Sequence, residues 1–159
     1  MLKFKESSYL GCLRGMYMYP EMMVAPMREE LTSAGIEEAR TADEVENAIS
    51  QKGTVMVVVN SICGCAAGRM RPAVRAAVQH SVHPDRMITV FAGQDREATE
   101  AARRHFTGFP PSSTSIGLLR DGELVDMMQR SDIEMHGPAE IAAALKGAFE
   151  KHCKTVVST

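Results

Sequence analysis

The sequence predicts an α/β fold in which helices cover both faces of a central mixed sheet. Three observations carry this prediction. The run Val55-Met56-Val57-Val58-Val59 is apolar at every position, the pattern of a strand buried on both faces. Segments with helical spacing flank that run and alternate with a second strand pattern over residues 87–92. Further on, Arg120-Asp121-Gly122 separates two strand-like runs, which is a strong hairpin signal.

Residues 1–18 carry no clear period. Tyr17-Met18-Tyr19-Pro20 ends just before a helix in which Met23, Met27, Leu31 and Ala34 recur at helical spacing, and Gly35 stops it. Residues 36–39 suit a short strand. Thr41-Ala42-Asp43-Glu44 fits a capping box, with Thr41 as cap and Glu44 reaching back. Val45, Ala48 and Ile49 then line one face of a short helix that Gly53 closes.

The buried strand runs into Asn60-Ser61-Ile62-Cys63-Gly64-Cys65. A helix is expected from Ala66, with Ala67, Met70, Val74, Ala77 and Val78 on one face. Pro72 falls inside it and implies a kink or an irregular first turn. Residues 80–84 end that segment, and residues 87–92 form the next strand, broken by Gly93. Asp95, Arg96 and Glu97 read as a solvated helix start, and Ala98, Ala101, Ala102 and Phe106 as its buried face. Phe109-Pro110-Pro111-Ser112-Ser113 is loop. Residues 115–119 and 123–129 are the hairpin strands. After Gly137-Pro138, the positions Ile141, Ala144, Leu145, Ala148 and Phe149 mark a final amphipathic helix. No repeat, low-complexity block or linker interrupts this order. Residues 1–159 therefore read as a single domain, with 1–18 and 154–159 peripheral or flexible.

Composition narrows the function. A chain of 159 residues, 45% hydrophobic and 24% charged, suits a globular domain with its own core. A net charge of -2 offers no broad basic surface for a phosphate backbone, so nucleic acid is not an expected partner. A solvated helix face explains the local cluster Arg69, Arg71 and Arg75 as easily as a binding role does. No apolar run approaches the ~20 residues that span a bilayer. The charged start, Met1-Leu2-Lys3-Phe4-Lys5-Glu6, lacks the apolar core of a secretory signal. A cytoplasmic protein without membrane partners is expected. In that reducing compartment the four cysteines, at positions 12, 63, 65 and 153, are not a disulfide framework. Cys12 and Cys153 are isolated, whereas Cys63 and Cys65 are one residue apart.

That pair lies where a buried strand meets a helix. A helix start leaves backbone N–H groups unpaired and carries partial positive charge, which stabilises a thiolate. Arg69 and Arg71 are candidates to add positive potential. A disulfide between two thiols one residue apart closes a small, strained ring, which favours exchange or isomerisation over strong reduction. Gly64 is expected to supply the unusual backbone angles such a ring needs. Cys63, the earlier thiol, reads as the attacking thiolate, and Cys65, inside the first turn, as the resolving one. Two incidental thiols or half a metal site are the alternatives. A metal site commonly needs about four ligands, and His80, His83 and His105 form no matching motif.

The segment Asn60-Ser61-Ile62-Cys63-Gly64-Cys65-Ala66-Ala67-Gly68-Arg69-Met70-Arg71-Pro72-Ala73 resembles the active-site segment of the bacilliredoxin family. The likeness extends to Tyr19-Pro20, to Phe109-Pro110-Pro111-Ser112-Ser113 and to Leu118-Leu119-Arg120-Asp121-Gly122, and so spans nearly the whole chain. The resemblance implies a thioredoxin-like three-layer sandwich with a central mixed sheet and an additional N-terminal helix. It implies thiol–disulfide exchange on S-thiolated client proteins, with a low-molecular-weight thiol such as bacillithiol as co-substrate and no permanently bound cofactor or metal. It assigns attack to Cys63 and resolution to Cys65, and it associates weak disulfide isomerase activity with the family. Cys153 resembles an extra C-terminal cysteine of some members.

One position departs from the pattern. Thioredoxin-like proteins usually face the thiol pair with a cis-proline. Counting back from the hairpin turn puts Thr114 there, expected in the trans form and with a hydroxyl able to bond near Cys63. A monomer or weak homodimer is expected. A general protein disulfide isomerase and a non-enzymatic metal-binding or interaction module are the competing functions.

Overall fold

A computed structural model of the chain describes residues 19–153. The expectations for residues 1–18 and 154–159, Cys12 and Tyr17 included, lie outside the described residues. The order is α1 (Glu21–Thr32), β1 (Glu37–Glu38), α2 (Ala42–Ile49), β2 (Thr54–Asn60), a π-helical turn (Ala66–Met70), α3 (Arg71–Ala77), β3 (Arg86–Phe91), α4 (Arg96–Arg104), β4 (Ser115–Arg120), β5 (Glu123–Met128), α5 (Arg130–Glu134) and α6 (Pro138–His152).

The five strands form one mixed sheet in the order β1-β3-β2-β4-β5. β2 is its centre, parallel to β3 and antiparallel to β4, and all seven of its residues are buried. Its lack of polar alternation has a direct cause, since both faces are covered. Met56 and Val58 face one core, with Leu31, Met70, Val74, Ile133, Leu145 and Phe149. Val55, Val57 and Val59 face the other, with Val45, Ile49, Ile88, Ala98, Ala102 and Phe106. The result is helices, sheet, helices: the expected three layers.

Local signals hold where their chemistry is local. Thr41 Oγ1 accepts from the Glu44 N–H at 3.1 Å, and Glu44 Oε1 accepts from the Thr41 N–H at 3.2 Å, which completes the capping box. Asp121 and Gly122 have φ of 51° and 85°, so both central positions of the hairpin turn are left-handed, as a two-residue connection requires. At Gly117 on β4, a Cβ would stand 2.3 Å from the Phe106 ring, so only glycine lets that ring lie against the sheet. Pro72 sits in the first turn of α3, directly after the π-helical turn. The irregular start expected of that helix is this turn.

Four expectations need correction. The buried stripe of α1 is Val24, Arg28 and Leu31, while Met23 lies 45% exposed. Arg28 is only 4% exposed, so a cation stands where the apolar period skips a residue. Its guanidinium donates to Asp95 Oδ2 at 2.6 Å and to Glu21 Oε2 at 2.8 Å, and it also bonds Glu38. It lies over the Phe91 ring, 5.3 Å from the centroid. Asp95 is therefore buried rather than a solvated helix start. Arg71 is buried as well, not part of a solvated face. Finally, Ala66 and Ala142 point inward where Ala67 and Ala144 were expected to. The short helix α5 has no counterpart in the sequence reading. Among the described residues no helix is long and apolar enough to cross a membrane.

Candidate active site

The site grows from the end of β2. Asn60 Oδ1 accepts from the Ser61 N–H at 2.9 Å, bending the chain out of the sheet. The same oxygen accepts from Arg71 Nη1 at 2.9 Å, and Arg71 also donates to the Ser61 carbonyl at 2.8 Å. Arg71 Nε meets Glu30 Oε1 at 2.9 Å. Arg71 thus ties the loop to the helix that follows it, with its charge answered by Glu30. Next, the Cys63 N–H donates to Ser61 Oγ at 3.2 Å, and the Cys63 carbonyl accepts from the N–H groups of Ala66 and Ala67 at 2.9 and 3.1 Å. A strand, a pinned loop and a helix start leave the thiols little freedom.

Cys63 Sγ lies 2.9 Å from Cys65 Sγ. Cys63 is half-buried and Cys65 is buried, so the earlier thiol is the accessible one. Burial alone would raise Cys63. The Cys65 thiol, the Cys65 backbone, the Arg130 charge and the Ala66 backbone together outweigh it and hold Cys63 below the ordinary thiol range. Cys65 moves the other way: burial pushes it up, the Cys63 thiol adds to that, and hydrogen bonding from Thr114 and the charge of Arg130 only partly oppose it. The two sulfurs share one site but differ in proton affinity.

Arg69 lies elsewhere than its expected role requires. Arg69 turns away and donates to the His136 carbonyl at 2.6 Å. Arg130, the first residue of α5, stands in its place, with Nη2 3.4 Å from Cys63 Sγ. Arg130 is itself held by Ser113 Oγ at 2.7 Å and Glu134 Oε2 at 2.8 Å. Nothing in the sequence around Arg130 marks it, because it reaches the sulfur only through the return of β4 and β5. With both thiols free, Gly64 does not take left-handed angles, and a Cβ there would meet nothing within 4 Å. Gly64 leaves the exposed position between the thiols open.

Thr114 is fully buried, and the described residues contain no cis peptide bond. Its Oγ1 lies 2.8 Å from Ser61 Oγ, which in turn accepts from the Cys63 N–H, and Thr114 draws the Cys65 thiol down. The expected contact near Cys63 is thus made through Ser61. The histidines stay apart from the thiols: His80 bonds Glu150, His105 bonds Glu46, and His83 meets the Pro84 carbonyl. Among the described residues no group of three or more His, Cys, Asp or Glu could hold a metal ion.

A family model described as disulphide isomerase matches residues 19–153. A bacilliredoxin of Koribacter versatilis is 62% identical over 137 residues, covering 86% of this chain and 94% of the relative. The chain belongs to the bacilliredoxin family. A bacilliredoxin of Bacillus cereus is 48% identical over 132 residues, covering 83% of this chain and 92% of that one. Oxidized mitochondrial thioredoxin 3 of Saccharomyces cerevisiae superposes with a TM-score of 0.52 at 18% identity, covering 74% of this chain and 98% of the other. At that identity the likeness concerns the fold alone, which is thioredoxin-like. As a bacilliredoxin with a close thiol pair, the protein is a thiol–disulfide oxidoreductase that removes a low-molecular-weight thiol from protein disulfides.

Proposed function

We propose that Cys63 and Cys65 act in sequence, attacker then resolver, on client proteins carrying a bacillithiol-like thiol. The observation that supports this most is the opposed tuning of two sulfurs 2.9 Å apart, the accessible Cys63 held down and the buried Cys65 pushed up. The Cys63 thiolate attacks the small-thiol sulfur of the mixed disulfide. A new bond forms to Cys63, the old S–S bond breaks, and the client thiolate leaves with the electron pair. Deprotonated Cys65 then attacks Cys63 Sγ, expels the small thiolate and leaves a Cys63–Cys65 disulfide. Two electrons from an external thiol reductant restore the pair.

Arg130 supports the first step by favouring the thiolate, and Thr114 supports the second by hydrogen bonding to Cys65. Arg69 acts at a distance, by tying the π-helical turn to the segment that follows α5. Gly64 keeps the approach to the sulfurs clear. The reading includes a cytoplasmic site of action, one domain acting as a monomer or weak homodimer, and a small thiol that is a co-substrate rather than a resident cofactor. A broader isomerase role is the second reading, favoured by the description of the matching family model. It uses the same pair, with a client cysteine in place of Cys65 as resolver.

The Cys65→Ser variant separates these steps. Incubated with an S-thiolated peptide, it should accumulate one small-thiol adduct on Cys63, read by intact mass. Absence of any adduct on Cys63 would refute the assignment. Recovery of native activity from a scrambled-disulfide substrate, at a rate matching dethiolation, would favour the isomerase reading instead.

A further inference from the structure

A cleft of about 340 Å³ opens beside Cys63, lined by Tyr19, Ser61, Ile62, Ala92, Gly93, Arg103 and Ser113 as well as Cys63 itself. Among the described residues, Arg103, in the last turn of α4, is the one charged residue of this lining, and no carboxylate lines it. The guanidinium donates through Nη2 to the Ser112 carbonyl at 2.6 Å. Among the described residues its Nε is buried without a hydrogen-bond partner, and so is Ser112 Oγ. Among the described residues Arg103, which is half-buried, forms no salt bridge, unlike the fully buried Arg28 and Arg71. A buried donor with no partner is costly, and a partly buried cation with no counter-charge more so. Such a group is normally answered by something that binds. The cleft volume falls within the range of small-molecule sites.

We propose that this cleft is the subsite for the small-thiol half of the mixed disulfide, and that Arg103 receives a carboxylate of that thiol. The proposal rests on the dethiolation reading above and adds substrate class and direction to it. Burial pushes the Arg103 guanidinium down from its ordinary value, against the pull of Glu100, which is the state of a cation short of an anion. A guanidinium fork matches a carboxylate in geometry. With the small thiol seated there, its own sulfur meets Cys63. The bond that forms is then Cys63 to small thiol, and the bond that breaks releases the client thiolate. Arg103 is a specificity-determining residue in this scheme, and it decides which of two chemically similar sulfurs is attacked.

The test uses one cysteine-containing peptide thiolated with mercaptopropionate, with its neutral isostere mercaptopropionamide, or with cationic cysteamine. Release of the peptide by the full-length protein is followed for each. Wild type should favour the carboxylate over the amide by about tenfold, and Arg103→Gln should bring that ratio within about twofold, the range of one charge-assisted hydrogen bond. Arg103→Lys should keep a reduced preference, because the charge remains without the fork.

A second arm moves the carboxylate onto the peptide, beside its cysteine, and uses the amide thiol. No Arg103-dependent gain is expected there, and such a gain would overturn the proposal by giving the subsite to the client. Equal loss on all three thiols in Arg103→Gln would also overturn it, since Arg103 would then only pin the loop at Ser112. If that variant fails to fold, the wild-type ratio of carboxylate to amide should still fall as salt rises, and a flat ratio would refute the role of charge. Failure of the dethiolation reading looks different, with no adduct on Cys63 from any thiol.

Discussion

Two thiols of this chain are both partly shielded from water, yet their surroundings push them apart. Cys63 precedes a helix, bonded around its backbone and within 3.4 Å of the Arg130 guanidinium. Cys153 follows one, as the residue that closes α6, with its N–H donating to the Phe149 carbonyl at 2.7 Å. Burial pushes the Cys153 thiol up and Asp85 adds to that, with the Thr54 hydrogen bond and Arg120 opposing. Cys63 feels burial too, but donors and a cation outweigh it. The two ends of a helix carry opposite partial charge, and at Cys63 the Arg130 guanidinium extends the positive sign, whereas Cys153 has charges of both signs beside it. Burial is the largest single push on both thiols, and the ranking turns on whether donors and a cation outweigh it, as they do at Cys63 alone.

The largest contrast should appear on deleting each sulfur. Cys63→Ser should lower dethiolation by about a thousandfold or more, because the nucleophile is gone, while Cys153→Ser stays within about twofold. Alkylation at about pH 6.5, followed by peptide mass, should label Cys63 well before Cys153. Equal labelling would break the comparison.

A smaller effect isolates the cation. Arg130→Gln removes a positive charge that favours the thiolate, so the Cys63 titration must move up. Alkylation at about pH 6.5 should slow by about three- to tenfold, and the two proteins should converge at higher pH, once Cys63 is ionised in both. Arg69→Gln should leave that titration unchanged, since Arg69 is bonded to the His136 carbonyl. A shift in Arg69→Gln without one in Arg130→Gln would reverse the assignment.

The smallest effect concerns the second thiol. Thr114→Val removes a hydrogen bond that lowers Cys65, so Cys65 should become harder to ionise. Release of the small thiol from the Cys63 adduct should slow by about two- to threefold, with initial Cys63 alkylation little changed. Slowing of alkylation instead would assign Thr114 to the attacking thiol, through Ser61.

Much of this was readable in the chain itself. Five apolar residues in a row, without alternation, mark a strand covered on both faces, and β2 is that strand. Asp121-Gly122 marks the hairpin because the turn needs two left-handed residues in succession. The placement of Cys63 and Cys65 at a helix start is also local, since one continuous stretch of chain supplies strand, loop and helix. These features follow from backbone sterics and side-chain period, which act between near neighbours.

What only the tertiary structure decided is which charge faces which group. Arg69 is four residues from Cys65, and Arg130 is 67 residues from Cys63, yet Arg130 is the one at the sulfur. Arg28 and Asp95, also 67 residues apart, look like surface charges in sequence and are a buried pair in the fold. Coulomb energy and hydrogen bonding depend on distance through space and on the surrounding medium. A sequence fixes neither until the sheet has closed and brought α5 back over the start of the helix that carries the thiols.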